Sequence, residues 1–140
     1  MIHANVYGVL YCTHAALPIM QQQESGHIVN VSSVAGRVAR LGSGVYNATK
    51  WGVGAFSESL RQEALNYNVR VTIVEPGYVD TELQGHNEHP MVVKMIEKNM
   101  QEIGKVLEPG DIANAIVYAV QQPEHVGINE VLVRPTRQRG

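Results

Sequence analysis

The amino-acid sequence predicts an α/β fold in which helices cover both faces of a parallel sheet. Three short apolar runs predict buried strands, at residues 27–31, 69–74 and 129–133. Helical patterns precede and separate these runs, and strands that alternate with helices are typical of a doubly wound parallel sheet. The length of 140 residues suits a single domain, 1–140.

Helices are predicted where apolar side chains recur at helical spacing. The first is expected near residues 6–20 and a long one over 45–67, while 91–100 suggests an amphipathic helix within an extended excursion. Asp111 is a plausible N-cap for the last helix. Three strands leave an unpaired sheet edge, so we expect that part of the fold lies before Met1.

Composition and charge exclude several classes of partner. The chain has 11 Lys and Arg against 13 Asp and Glu, and a net charge of -2 gives no general attraction for nucleic acid or an anionic membrane. No apolar run reaches the ~20 residues of a membrane span, and no signal peptide is visible, so we expect a cytoplasmic protein. Cys12 is the single cysteine, and its apolar helical setting predicts a small core residue. Arg134, Arg137 and Arg139 are interpreted as a solvated tail.

The carboxyl ends of the first two strands form the predicted functional edge, because ligand-binding groups collect there in open α/β sheets. Two serines follow the first strand and a Pro-Gly pair follows the second. The helix between them carries Tyr46 and Lys50, which share a face because they are four residues apart. A cation beside a phenol favours the phenolate, which can exchange a proton with a substrate oxygen that a serine hydroxyl holds.

These features also have ordinary structural explanations. A Tyr-Lys pair is common on surface helices, and two serines after a strand often form a turn or a cap. His86, Glu88 and His89 could suggest a metal site, but a solvated or substrate-facing loop is favoured and no metal is expected. Trp51 is expected to pack in the core or at an interface. A hydrolase is disfavoured because Ser33 lacks a Gly-x-Ser-x-Gly context.

Four motifs together resemble the short-chain dehydrogenase/reductase family. They are Asn-x-x-Gly at 5–8, the strand and turn at 28–36, Tyr-x-x-x-Lys at 46–50, and the Pro-Gly segment at 74–81. Each motif is weak alone, but the four occur in the family's order with matching elements between them, over about residues 2–135. The family's serine lies thirteen positions before its tyrosine, which selects Ser33 over Ser32.

The resemblance implies a Rossmann-like sheet, of which this chain holds the C-terminal portion. It implies that Ser33 orients the substrate carbonyl and that Tyr46 is the general acid or base. Lys50 would assist Tyr46, both would contact the cofactor, and Asn5 would hold a water in a proton relay. The excursion over 82–107 would be a substrate lid. Further cofactor contacts are implied for Pro76, Gly77, Val79 and Thr81.

The resemblance also implies an oxidoreductase that transfers a hydride between NAD(P) and a small carbonyl or alcohol substrate. The family's Gly-rich cofactor turn and its NAD-or-NADP determinant are missing from the sequence, so we expect a fragment that binds cofactor poorly by itself. Segments 39–41, 56–63, 80–83 and 133–136 resemble bacterial NADP-dependent enzymes of the kind that includes clavulanate dehydrogenase, which favours NADP over NAD. A homodimer or homotetramer is expected. The alternative is a non-catalytic interaction module derived from the same fold.

Overall fold

Three parallel strands form one sheet in the computed structural model, which describes residues 1–86 and 88–140 without the side chains of Gln84 and His86. The strand order is β1-β2-β3. Gly26 pairs with Val69 and Ile73 pairs with Glu130, both in parallel register. The predicted parallel sheet is therefore confirmed, with strands β1 Gly26–Val31, β2 Val69–Pro76 and β3 Glu130–Val133.

The helices lie where the apolar spacing placed them. They are α1 Gly8–Gln23, α2 Gly44–Ala64, α3 Pro90–Ile103 and α4 Pro109–Val120. A π-helical turn at His3–Tyr7 leads into α1, and 3-10 turns occupy Val34–Gly36, Leu65–Tyr67 and Glu82–His86. None of the helices within the described ranges is long and apolar enough to cross a membrane.

The core lies between the sheet and the helices α1 and α2. Val69 and Val71 of β2 pack there against Leu60 and Ala64 of α2, all of them nearly inaccessible to solvent. Alternate strand residues face opposite sides of a sheet. Arg70, which lies between the two valines, accordingly contacts the end of α4 on the other side. Helices therefore cover both faces, as the sequence predicted.

Several side chains predicted to be buried are exposed. Cys12 lies on the surface of α1, because its neighbour Thr13 occupies the buried face of that helix. The prediction that Cys12 is a core residue is therefore wrong. Trp51 is 52% exposed, so its core interpretation is also wrong, whereas its interface interpretation stays a prediction.

The N-cap of α4 is Glu108 rather than the predicted Asp111. Pro109 occupies the first helical position, which makes Asp111 the third residue of the helix. The carboxylate of Asp111 accepts a hydrogen bond from Glu108 N at 2.8 Å, while the Glu108 side chain accepts one from Asp111 N. The two carboxylates thus form a reciprocal capping box, which satisfies two main-chain donors at the start of the helix.

The excursion after β2 leaves the sheet, and its two ends are joined by main-chain hydrogen bonds at an isolated bridge between Val79 and Leu107. Asp80 N donates to Leu107 O at 2.8 Å, and Leu107 N donates to Tyr78 O at 3.0 Å. Helix α3 lies between these two ends. The metal-like cluster considered from the sequence cannot be placed, because the His86 side chain lies outside the described residues.

The C-terminal segment was predicted to be a solvated tail, but one of its residues anchors it to the rest of the protein. Arg134, Arg137 and Arg139 are exposed, in agreement with the prediction. Gln138, in contrast, is only 8% exposed. Its Oε1 accepts a hydrogen bond from Tyr78 N at 3.0 Å. This segment therefore packs against the residues that follow β2.

Candidate active site

Ser33 lies where the carboxyl ends of β1 and β2 meet. Its Oγ accepts a hydrogen bond from Ala35 N at 3.1 Å, which starts the 3-10 turn, and donates to Pro76 O at 3.5 Å. The second bond is long, so the hydroxyl can exchange this acceptor for another one. The half-buried Ser33 hydroxyl is thus held at the predicted functional edge.

The neighbouring Ser32 has a structural role. It is 4% exposed, and its Oγ donates to Lys50 O at 3.0 Å. A Cβ atom on Gly36 would lie 2.8 Å from Ser32 Oγ and 3.0 Å from Lys50 O. Only glycine fits at this contact without displacing its neighbours. The turn after β1 is therefore packed directly on the main chain of α2.

Tyr46 and Lys50 lie together on α2, as their spacing predicted. Lys50 Nζ is 5.8 Å from the centre of the Tyr46 ring. The same Nζ donates to Val31 O, the last carbonyl of β1, at 3.1 Å. Burial lowers the pKa of Lys50. Because little water surrounds a half-buried ammonium group, its field acts on neighbouring groups with less screening.

Asn5 approaches the turn of α2 that carries Tyr46 and Lys50. Its Nδ2 donates to Thr49 Oγ1 at 3.2 Å, and Thr49 Oγ1 donates to Tyr46 O at 2.7 Å. Thr49 is 3% exposed, so this connection is packed inside the protein. The structure therefore brings Asn5 to this turn through Thr49, and the relay water implied by the resemblance stays a prediction.

Asn47 supports the site and was not singled out in the sequence. It is 5% exposed, and its Nδ2 donates to Ala35 O at 2.7 Å and to Val38 O at 2.8 Å. These bonds hold the loop after the 3-10 turn against the start of α2. The only sequence signal was its position beside Tyr46, because its partners are main-chain atoms that no residue pattern reveals.

The Pro76-Gly77 turn is held from two sides. Gly77 N donates to Val133 O at 2.7 Å, which continues the pairing of β2 with β3. A Cβ atom on Gly77 would collide with the side chain of Gln138. Val79 follows at its bridge to Leu107. Thr81, the last implied cofactor contact, is exposed at the start of the excursion.

A buried carboxylate next to this turn was also missed. Glu75 is 5% exposed, and its Oε2 lies 2.7 Å from Arg37 Nη2. The same guanidinium nitrogen lies 2.7 Å from Glu130 Oε2. Burial raises the pKa of Glu75, and Arg37 partly offsets this effect. Arg37 thereby joins the loop after β1 to both β2 and β3.

The residues at this edge fit the nicotinamide end of a dinucleotide. One of the three N–H groups of Lys50 is bonded to Val31 O, and the other two remain available for ribose hydroxyls. The turns after β1 and β2 read Ser-Ser-Val-Ala and Gly-Tyr-Val-Asp. Neither is the Gly-rich turn that binds a pyrophosphate. The described residues thus suit one end of the cofactor.

The family model described as short chain dehydrogenase matches residues 1–91. The chain belongs to the short-chain dehydrogenase family. Its curated relatives include an uncharacterized oxidoreductase of Staphylococcus saprophyticus, 45% identical over 141 residues, which covers 99% of this chain and 56% of the relative. An uncharacterized oxidoreductase of Staphylococcus aureus is 40% identical over 135 residues, or 96% of this chain and 53% of the relative. This short-chain dehydrogenase chain spans about half the length of these relatives.

Solved structures of other short-chain dehydrogenases share the fold. A closed form of serine dehydrogenase complexed with NADP+ aligns with a TM-score of 0.88 at 35% identity, over 100% of this chain and 56% of that one. Serine dehydrogenase from Escherichia coli aligns at 0.78 and 34% identity, over 97% and 52%. A metagenomic short-chain oxidoreductase in complex with NADP aligns at 0.72 and 29%, over 97% and 50%. These alignments confirm the predicted Rossmann-like fold.

Proposed function

We propose that this chain carries the catalytic segment, and the C-terminal half, of an NADP-dependent short-chain dehydrogenase acting on a carbonyl or alcohol. The main support is the position of Lys50, which reaches from α2 to Val31 O while its ammonium group lies beside the Tyr46 ring. This geometry combines a proton donor with a cation at the edge where ligands bind in such sheets. Membership of an oxidoreductase family agrees with it.

In this proposal, the Tyr46 hydroxyl gives a proton to the substrate oxygen during reduction and takes it back during oxidation. Lys50 stabilises the phenolate form of Tyr46 by its charge. The Ser33 hydroxyl leaves Pro76 O, 3.5 Å away, to donate to the substrate oxygen. Asn5 supports the Tyr46 turn through Thr49 and holds the relay water. When bound, the nicotinamide supplies or accepts the hydride.

The cofactor is proposed to be NADP. Two of the similar structures are complexes with NADP+ or NADP, which supports this choice over NAD. Lys50 and Tyr46 would contact the ribose. The nicotinamide end would face the end of β2 and the residues that follow it, namely Pro76, Gly77, Val79 and Thr81.

The excursion 82–107 is proposed to be the substrate lid. Its ends are tied together where Asp80 and Tyr78 bond to Leu107, and this supports movement of the segment as one unit. Gly104, next to the returning end, has a φ of 80°. Glycine adopts this conformation without strain, which suits a hinge. Closure over Ser33 and Tyr46 would exclude water from the reaction.

A small polar alcohol is the proposed substrate, since two of the similar structures are serine dehydrogenases. We also propose that the chain belongs to the bacterial group that includes clavulanate dehydrogenase. A cytoplasmic homodimer or homotetramer is proposed, with α1 and α2 at the subunit contact. Aromatic side chains on these helices support this assignment, because Tyr11 is 63% and Trp51 52% exposed.

The deciding experiment compares the variants Tyr46→Phe and Tyr118→Phe. Tyr118 is exposed on α4, outside the site, so its variant is a matched control. The measurements use the longer protein of which, in this proposal, the chain is a part. We expect Tyr46→Phe to lower NADP+-dependent serine oxidation there by about 100-fold or more, and the control to leave it unchanged. NADPH binding by the same protein, followed by its fluorescence, should weaken in Lys50→Met and persist in Tyr46→Phe. Full turnover by Tyr46→Phe would contradict the proposal and favour a non-catalytic module.

A further inference from the structure

A second group of charged residues surrounds a cavity beside the proposed active site. The cavity has a volume of about 980 Å³ and lies between the loop after β1, the end of α3 and the C-terminal segment. Three arginines line it: Arg40, Arg137 and Arg139. Glu102 is the single acidic side chain in this lining, within the ranges that the structure describes. The side chains of the cavity wall therefore carry a net positive charge.

None of the three arginines forms an ion pair with another of the described residues. Over residues 1–86 and 88–140, every carboxylate lies more than 4.0 Å, the limit for an ion pair, from the guanidinium groups of these three arginines. Glu102 instead lies 3.9 Å from Lys98. Arg37 and Arg61, elsewhere in the chain, both form close ion pairs. A guanidinium group stays charged at all ordinary pH values, so three of them around one cavity favour an anion there.

Arg40 is oriented within the cavity by Tyr78. Its Nη1 donates to Tyr78 OH at 3.4 Å, and its guanidinium carbon lies 5.9 Å from the centre of the Tyr78 ring. Asn99 Nδ2 donates to the same hydroxyl at 3.0 Å. The contact with Tyr78 uses one N–H group of Arg40, and its other guanidinium N–H groups can bind a planar or tetrahedral anion with two bonds.

The cavity is connected to the proposed catalytic residues at two points. Tyr78 directly follows the Pro76-Gly77 turn, whose Pro76 carbonyl accepts the hydrogen bond from Ser33. Arg40 N approaches Asn47 Oδ1 at 3.5 Å, and Asn47 is adjacent to Tyr46. The cavity wall is therefore built from the same two segments that position Ser33 and Tyr46.

We infer that Arg40, Arg137 and Arg139 bind an oxyanion of the substrate, a carboxylate or a phosphate, and thereby select acidic carbonyl or alcohol substrates over neutral ones. This inference rests on the proposed function for its catalytic part. The binding part stands on the cavity and its charges alone, and it can be measured without turnover.

The first experiment titrates the chain with acetoacetate and, separately, with inorganic phosphate at constant ionic strength, using calorimetry or NMR. We expect saturable binding of at least one anion, weakened about tenfold in the double variant Arg137→Gln/Arg139→Gln and in Arg40→Gln. Arg137 and Arg139 are exposed, so their replacement leaves the fold intact. Tighter binding of acetoacetate indicates a carboxylate ligand, and tighter binding of phosphate indicates a phosphate ester.

The matched control is Arg61→Gln, which removes the same charge from an ion pair on α2, away from this cavity. Equal weakening in this control, or no saturable binding of either anion, would overturn the inference. The second experiment compares kcat/KM for acetoacetate with that for neutral butanone, and the ratio should fall about tenfold in the double variant. Turnover is measured in the longer protein of which, in the proposed function, the chain is a part. Anion binding without NADPH-dependent turnover in that protein would refute the proposed function alone. Turnover without anion binding would refute this inference alone.

Discussion

Ser32 and Ser33 are adjacent in the sequence, but their hydroxyl groups face different parts of the molecule. Ser32 is buried against Lys50 O, while Ser33 lies at the open ends of the strands. Family spacing was sufficient to choose Ser33 as the candidate. The role of Ser32 could not be predicted, because its acceptor is a main-chain atom 18 residues away. A side chain whose main-chain acceptor is distant in the sequence, like that of Ser32, leaves no local pattern.

His27 gives the stability of the protein a predictable dependence on pH. Its Nε2 lies 2.7 Å from Thr72 Oγ1, which itself donates to Ile128 O. Nε2 must therefore carry the hydrogen, and Nδ1 is buried without a partner among the described residues. Burial, followed by the nearby charge of Arg70, lowers the pKa of His27. The folded protein thus binds a proton more weakly at this site than the unfolded chain does.

We therefore expect the free energy of unfolding to decrease as the pH falls below about 6.5, by at most ~1.4 kcal/mol per pH unit for a single group. Urea titrations across this range measure it. The variant His27→Gln should flatten the dependence, and His14→Gln, at an exposed position on α1, should preserve it. An unchanged slope in His27→Gln would show that another group is responsible.

Arg37 should contribute to stability because it neutralises Glu75. In Arg37→Ala, the buried carboxylate loses its partner, and we expect unfolding to become easier by about 1–3 kcal/mol at neutral pH. The pKa of Glu75 is already raised by burial, so the loss should shrink as the pH falls and this group takes up a proton. Arg61→Ala breaks an exposed pair and should have little effect. Equal effects of the two substitutions in denaturant titrations would contradict this account.

At the scale of elements, the strands were predictable because each is a short run rich in β-branched residues, although only β2 is buried along most of its length. The helix ends were harder. Asp111 has the chemistry of an N-cap, yet Glu108 occupies that position because Pro109 sets the first helical residue. The burial of one helical residue was also mispredicted, since Cys12 is apolar but lies exposed on α1. Helical spacing identifies the buried face of a helix when many apolar residues share that face. It does not decide the burial of a single residue at the edge of the face.

Two glycines should respond in opposite ways to alanine. In Gly36→Ala, the added Cβ meets Ser32 Oγ and Lys50 O, so we expect a loss of about 1–3 kcal/mol in stability. Gly52 lies inside α2, and a Cβ added there would have no neighbouring atom within 4 Å. Gly52→Ala should therefore stabilise the protein by about 0.5–1 kcal/mol through its helix propensity. Thermal unfolding of both variants tests this contrast, and a stable Gly36→Ala would show that the turn after β1 can move.

At the scale of the whole molecule, the sequence predicted the sheet, its helices and the order of the site motifs. It did not predict the cavity lined by Arg40, Arg137 and Arg139. These residues are almost 100 positions apart in the chain, and the C-terminal ones were interpreted as a solvated tail. What joins them is the packing of Gln138 on the turn after β2. Such long-range contacts depend on the final path of the chain and have no local signature.

The parallel sheet has a consequence for how the chain acquires its structure. Gly26 pairs with Val69, 43 residues later, and Ile73 pairs with Glu130, 57 residues later. Each pairing closes a large loop, and proteins dominated by such distant contacts fold in milliseconds to seconds. During synthesis, β2 is made well after β1 and β3 well after β2, so these two pairings can form only in that order. We expect stopped-flow refolding in this slow range, with helical signal from α1 and α2 arising before the sheet closes.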